Sequence, residues 1–198
     1  MIGCIKKGKL FGVGYCSSDL TCVDANGKVS RAYNTWFSML RRCYYDTYKS
    51  KHPSYIGCVV SPTWHDFANF NKFYNTNYYE IPDERVELDK DLLFRGNKVY
   101  SPETCRFVPQ SINLLLIDRA LDRGAFPVGV YFYKQNNKYR SQISIDGKRK
   151  HLGYYSTVEE ASSVYKSAKE DEIKRKAEQY KHILQSDIYD NLINYKIN

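Results

Sequence analysis

Hydrophobic positions in this chain recur with two different periods, and the change of period divides the sequence. Between Arg31 and Tyr45, Trp36, Met39, Leu40 and Cys43 fall at helical spacing, which predicts a helix with one apolar face. In "PTWHDFANFNKFYN", residues 62–75, Trp64, Phe67, Phe70 and either Phe73 or Tyr74 again share a helical face, with Pro62 and Thr63 as start signals. His65 lies beside that stripe and reads as a structural histidine. "RVELDKDLLFRGNKVYSPETCRFVPQSINLLL", from residue 85, predicts a strand, a Gly96-Asn97 turn and a short strand. A turn or helix opened by Ser101-Pro102-Glu103 follows. "IDRALDRGAFP" then closes a helix and runs into a Gly/Pro linker, which places a boundary near Gly124–Pro127.

From Val128 onward the period is two. "GVYFYK", "KYRSQISID" and "KRKHLGYYS" predict three short strands, with Asn136-Asn137 and Asp146-Gly147 at the hairpin turns. A long helix follows from Thr157, which pairs with Glu160 as a capping box. Ala161, Val164, Tyr165 and Ala168 form its apolar stripe, and the two alanines allow a close approach to the sheet. The expected class is therefore α+β. An N-terminal module of residues 1–125 precedes a three-stranded antiparallel sheet packed on one helix (126–182). Residues 183–198 read as a tail, either an extra helical turn or loose chain.

A single helix covers only one face of a three-stranded sheet, and alternation decides which side chains are left outside. Ser141, Ile143, Ile145 and Leu152 suit the covered face. Tyr131, Tyr133, Arg140, Gln142, Ser144, Arg149 and His151 are left for the other. Such a face is either merely solvated or it contacts a ligand.

Charge changes that balance. The chain is basic, at +8, and 15% aromatic with 19 tyrosines, a combination suited to phosphate and to flat contact surfaces. The excess is local. Residues 1–46 carry +4, residues 47–127 balance, residues 128–156 carry +5 with Asp146 as the lone acid, and residues 157–198 carry −1. The excess of positive charge is thus on the sheet and not on its helix, whose six basic and six acidic residues between 157 and 182 balance. In the N-terminal module, Arg41, Arg42 and the cluster from Lys6 to Lys9 are further candidates for phosphate contact. The six cysteines form no C-x-x-C pair, which argues for reduced thiols rather than a zinc site or a disulfide scaffold. No apolar run approaches the roughly 18 residues a membrane span requires. The first six residues are too short and polar for a signal peptide. The expectation is a soluble cytoplasmic protein with no membrane partner.

Residues 128–170 resemble the Apetala/ethylene-response-factor DNA-binding domain of plants, also found attached to phage and mobile-element nucleases. The matching residues are Gly129-Val130, the "KYRSQI" strand, Leu152-Gly153-Tyr154-Tyr155, Thr157, Glu159-Glu160-Ala161 and Tyr165. The resemblance implies double-stranded DNA as partner, with the sheet laid in the major groove and the uncovered side chains on bases and phosphates. Tyr131, Tyr133 and Ser144 replace arginines usual in the plant members, and His151 replaces a tryptophan. The plant recognition sequence therefore does not carry over.

"LDKDLLFRGNKVYSPETCRFVPQSIN" resembles the ββα unit of HNH homing-type endonucleases. Asp89-Lys90 stands at that family's Asp-His, Asn97 at its turn, Ser101–Val108 at its last element, and Asn113 follows. In the family the histidine is the general base beside a divalent metal. The resemblance would make Asp89, Lys90 and Asn97 the catalytic candidates, and Asp89 with Asp91 the holders of Mg²⁺. A protonated lysine cannot accept a proton, and Asp89 and Asp91 favour its charged form. The unit accordingly reads as degenerate and retained for binding, with no cofactor. The functional expectation is a double-stranded DNA-binding protein of phage type. A metal-dependent HNH-type endonuclease is the alternative. A third reading is an anti-defence inhibitor that binds a host protein–nucleic-acid machine.

Overall fold

The computed structural model describes residues 9–23, 25–117 and 125–197. The Lys6 and Lys7 part of the basic cluster and Gly124 lie outside the described residues. The chain forms two compact units, Met1–Val108 and Pro109–Asn198. The division falls earlier than the linker near Gly124–Pro127, because helix α4 (Gln110–Leu116) packs with the C-terminal unit's long helix.

In the N-terminal unit, Ser30 caps α1 (Arg31–Tyr44) by accepting from the Tyr33 amide, and Ala32, Trp36, Met39, Leu40 and Cys43 are buried along one side. A short α2 (Asp46–Lys51) follows. The apolar stretch after Pro62 begins with a 3-10 turn, Pro62–His65, and becomes α3 (Phe67–Asn77) only after Asp66, whose carboxylate accepts from the Ala68 amide. Asp66 also accepts from the Ser17 amide at 3.0 Å, which ties the N-terminal loops to the start of α3. Trp36, Trp64, Phe67 and Phe70 form the centre, and the Trp36 indole donates to the Trp64 carbonyl at 2.7 Å. His65 is bonded to the Tyr44 hydroxyl at 3.1 Å, a structural contact. The strands here are short: β1 (Val59–Val60) pairs in parallel with β3 (Val99–Tyr100), and β2 (Val86–Asp89) pairs with β4 (Arg106–Pro109). The stretch opened by Ser101 is a turn that leads into β4, not a helix. Cys16, Cys22, Cys43, Cys58 and Cys105 are all buried and unbridged, and burial pushes the Cys43 and Cys105 thiols up to about 12.

The C-terminal unit is a three-stranded antiparallel sheet in the order β5 (Val130–Tyr133), β6 (Lys138–Ile145), β7 (Lys148–Tyr155), backed by α5 (Val158–Gln179). The Thr157–Glu160 capping box is formed. Val130, Ser141 and Ile143 from the sheet and Ala161, Ile173 and Ala177 from α5 are buried. The chain's end is ordered as α6 (Ser186–Ile193), which packs on α5 with Ile188 and Leu192 buried. Among the described residues no helix is long and apolar enough to cross a membrane.

The entry into β5 is sterically tight. Gly129 has φ +79°, and a Cβ there would lie 2.1 Å from the Tyr165 ring of α5. Glycine thus lets helix and sheet meet at that corner. Gly129→Ala combines a left-handed backbone penalty of roughly 1–2 kcal/mol with that clash. It is expected to lower the melting temperature of the C-terminal unit by at least about 5 °C in a thermal scan.

Candidate nucleic-acid interface

The register fixes which side chains share the face turned away from α5. Tyr131 pairs with Arg140 and Tyr133 with Lys138 across β5 and β6; Arg140 pairs with Tyr154, Gln142 with His151 and Ser144 with Arg149 across β6 and β7. All seven side chains expected on the uncovered face are therefore brought together. Lys138 and Tyr154 join them. Lys138 follows from simple alternation with Arg140. Tyr154 does not, because the register shifts between Ser141 and Gln142, leaving Leu152 as an extra residue of β7. The bulge inverts the parity of everything after it, so Tyr154 faces outward while Tyr155 donates back to the Leu152 carbonyl at 3.0 Å. An isolated glycine inside a strand, here Gly153 with φ +142°, is the sequence signal for such a bulge.

The rings and cations on this face are organised. The Arg140 guanidinium lies over Tyr131 at 5.7 Å and over Tyr133 at 6.0 Å. Tyr133 meets Tyr154 with centroids 5.2 Å apart, and Tyr154 meets His151 at 4.7 Å. Arg140 is half-buried between these rings, yet its Nε has no hydrogen-bond partner and no carboxylate pairs with it among the described residues. The ring faces orient the guanidinium and leave its donors unused.

Charge pairing sharpens the asymmetry. The cations of residues 128–156 are Lys134, Lys138, Arg140, Lys148, Arg149 and Lys150, and none has an ion-pair partner among the described residues. Asp146 is the single acid of that stretch. It is taken by α5, where Lys176 Nζ lies 2.8 Å and Arg175 Nη2 3.6 Å from its carboxylate oxygens. The hydrogen bond from Lys176 holds the Asp146 carboxyl below the usual range. On α5 itself cations meet acids, as in Arg175–Glu172 at 2.6 Å, and just past its end Lys181 lies 3.9 Å from Glu178.

Arg41 and Arg42 are in the other unit and are engaged with tyrosines. Arg41 stands over the Tyr48 ring at 4.9 Å, and Arg42 over Tyr55 at 5.6 Å with Tyr100 as a further neighbour. They brace α1 against the segment that follows it.

Asp89, Lys90, Asp91 and Asn97 are gathered in the loop between β2 and β3, and their polar groups are bound to one another. Asp89 Oδ1 accepts from the amides of Asp91 at 2.8 Å and Leu92 at 2.6 Å. Lys90 is buried and donates to Asp91 at 2.5 Å and to the Asn97 carbonyl at 2.7 Å. The Asn97 amide donates back to the carbonyls of Lys90 at 2.8 Å and Val99 at 2.7 Å. Thr104 donates to the Val99 carbonyl at 2.8 Å. Lys90 acts as a donor in both bonds, which is not the role of a base. The Asp91 Oδ2 is taken by its bond from Lys90. Burial pushes the Asp89 carboxyl up, against the pull of its two amide donors.

No family model matches the chain, and no curated protein or solved structure matches it. A functional reading therefore rests on the arrangement of side chains.

The loop makes a test of its own. Asp89→Asn keeps an oxygen for the two amides and removes a buried charge, so its melting temperature at neutral pH is expected to equal or exceed the wild type's. That advantage should shrink as pH falls through the raised Asp89 pKa toward the unfolded value, where the wild-type carboxyl is neutral as well. Asp89→Ala loses the acceptor and is expected to cost about 1–2 kcal/mol in urea unfolding.

Proposed function

We propose that the protein binds double-stranded DNA through the uncovered face of β5–β7. The observation that carries this reading is the outward set of Lys138, Arg140 and Arg149, without acidic partners among the described residues and arranged around aligned tyrosines and hydrogen-bonding groups. An unpaired cation gains from phosphate what a paired one would first have to give up. The side chains of Gln142, Ser144 and His151 make no hydrogen bond among the described residues, so their donors and acceptors are available to base edges. Scale supports the same reading. Three strands at about 4.8 Å spacing span roughly 10 Å, comparable to the ~12 Å width of a B-DNA major groove.

In this reading the outward Lys138 and Arg149 take phosphates, and the exposed Lys148 and Lys150, on the other side of the edge strand β7, add to the local positive charge. Arg140, central and held by rings, takes a base edge or a phosphate with two parallel donors. The loop from Asp89 to Asn97 has its polar groups bound internally, which favours a structural role over DNA cleavage. Incubation with plasmid and Mg²⁺ or Mn²⁺ is expected to leave the plasmid intact. Nicking that disappears in Asp89→Ala would restore the endonuclease reading.

Binding itself is checked by titrating labelled duplex across a salt series. Arg140→Ala with Arg149→Ala is expected to weaken binding at least about tenfold and to flatten the logarithmic salt slope by about 1–2. An unchanged affinity and slope would remove the sheet from the interface.

A further inference from the structure

The turn between β6 and β7 is pinned to α5 by an ion pair whose cation is buried. Asp146 and Gly147 both have positive φ, 49° and 75°, as a two-residue hairpin turn of type I′ requires. Asp146 is more than half exposed, but Lys176, which reaches it at 2.8 Å, is only 6% exposed, and Arg175 approaches the other carboxylate oxygen. Arg175 is in turn held by the buried Glu172 through two bonds, at 2.8 and 2.6 Å. Four charged groups thus join the hairpin tip to the last turns of the helix. Directly beyond the turn come Lys148, Arg149 and Lys150, paired in register with Ile145, Ser144 and Ile143. Half of the unpaired cations of the sheet region stand on this tip.

We propose that Asp146 is a positioning residue for DNA binding: pinned to Lys176, it fixes the hairpin tip so that Arg149, which the tip presents on the uncovered face, meets the phosphate backbone already ordered. This rests on the DNA-binding reading above. Long cationic side chains on a fraying hairpin would lose more freedom on binding than the same side chains on a pinned one. The arrangement also directs a negative charge inward, onto α5, instead of leaving it among the sheet's cations.

The proposal has an unusual sign. Asp146→Asn suits the same turn conformation and raises the formal charge by one from +8, so electrostatics alone predicts tighter binding to DNA. Positioning predicts the reverse. Asp146→Asn is expected to weaken duplex binding by roughly fivefold, Lys176→Met to weaken it similarly, and Lys176→Arg to restore it. In an Arg149→Ala background the Asp146→Asn effect should fall below about twofold, since the group it positions is gone. A general loss of stability would not be confined in this way.

Amide hydrogen exchange on the wild-type protein is the second measurement and needs no variant to fold. The amides of Ile145, Lys148 and Lys150, which bond across β6 and β7 next to the turn, are expected to be as protected as the centre of β6. Fast exchange at the tip overturns the proposal. So does an Asp146→Asn protein that binds as tightly as the wild type or more tightly. A wild type that binds no duplex would instead overturn the DNA-binding reading itself.

Discussion

The packing of α5 on one side of β5–β7 determines what the other side can present. Ala161 sits fully buried against the sheet, and the Tyr165 ring lies where any side chain at position 129 would have to go. Those contacts fill the inner face with Val130, Ser141 and Ile143, and alternation then turns Tyr131, Arg140 and Gln142 outward. The outer face has no apolar core of its own. Its order comes from rings and a guanidinium lying against one another, with Arg140 the member shared by Tyr131 and Tyr133.

Much of this was legible in the sequence because the two periods are clean. The α1 stripe, the Thr157–Glu160 cap and both turns of the sheet lie where spacing and turn chemistry put them. Seven outward residues could be named from alternation alone. Tyr154 could not, because a one-residue bulge is invisible to a period-two count unless Gly153 is taken as its marker. The start of α3 shows a different limit. Pro62 does begin a turn of helix, but Asp66 offers its carboxylate to the Ala68 amide and restarts the helix four residues later. Pairing partners were less legible still. Nothing in the strand pattern says that Asp146 is claimed by Lys176, thirty residues downstream, and that contact leaves the sheet's cations without their one nearby acid.

The N-terminal unit illustrates how a motif's residues can be present and differently employed. Asp89, Lys90, Asp91 and Asn97 are gathered in one loop, in an order that resembles a nuclease unit. Asp89 Oδ1, the Lys90 ammonium and the Asn97 side-chain amide are nevertheless turned toward loop backbone or toward another member of the set. A lysine that donates to Asp91 and to the Asn97 carbonyl stitches the two ends of the loop between β2 and β3. Arg41 and Arg42 follow the same logic at α1, where tyrosine rings take up the guanidinium groups. In the sheet Arg140 is likewise held by tyrosine rings, and among the described residues none of the cations of residues 128–156 has an acidic partner.

The bulge at Leu152 has a consequence for how the outer face is indexed to the chain. Residues before it present odd-numbered positions outward, Arg149 and His151, and the residue after it presents an even one, Tyr154. The strand therefore contains a change of phase, and Leu152 is the single residue that sets it. A strand that kept Leu152 but paired it regularly, without the bulge, would exchange Tyr154 for Tyr155 on the outer face. The aromatic row joining His151, Tyr154 and Tyr133 would be rewritten without a change to any residue in it.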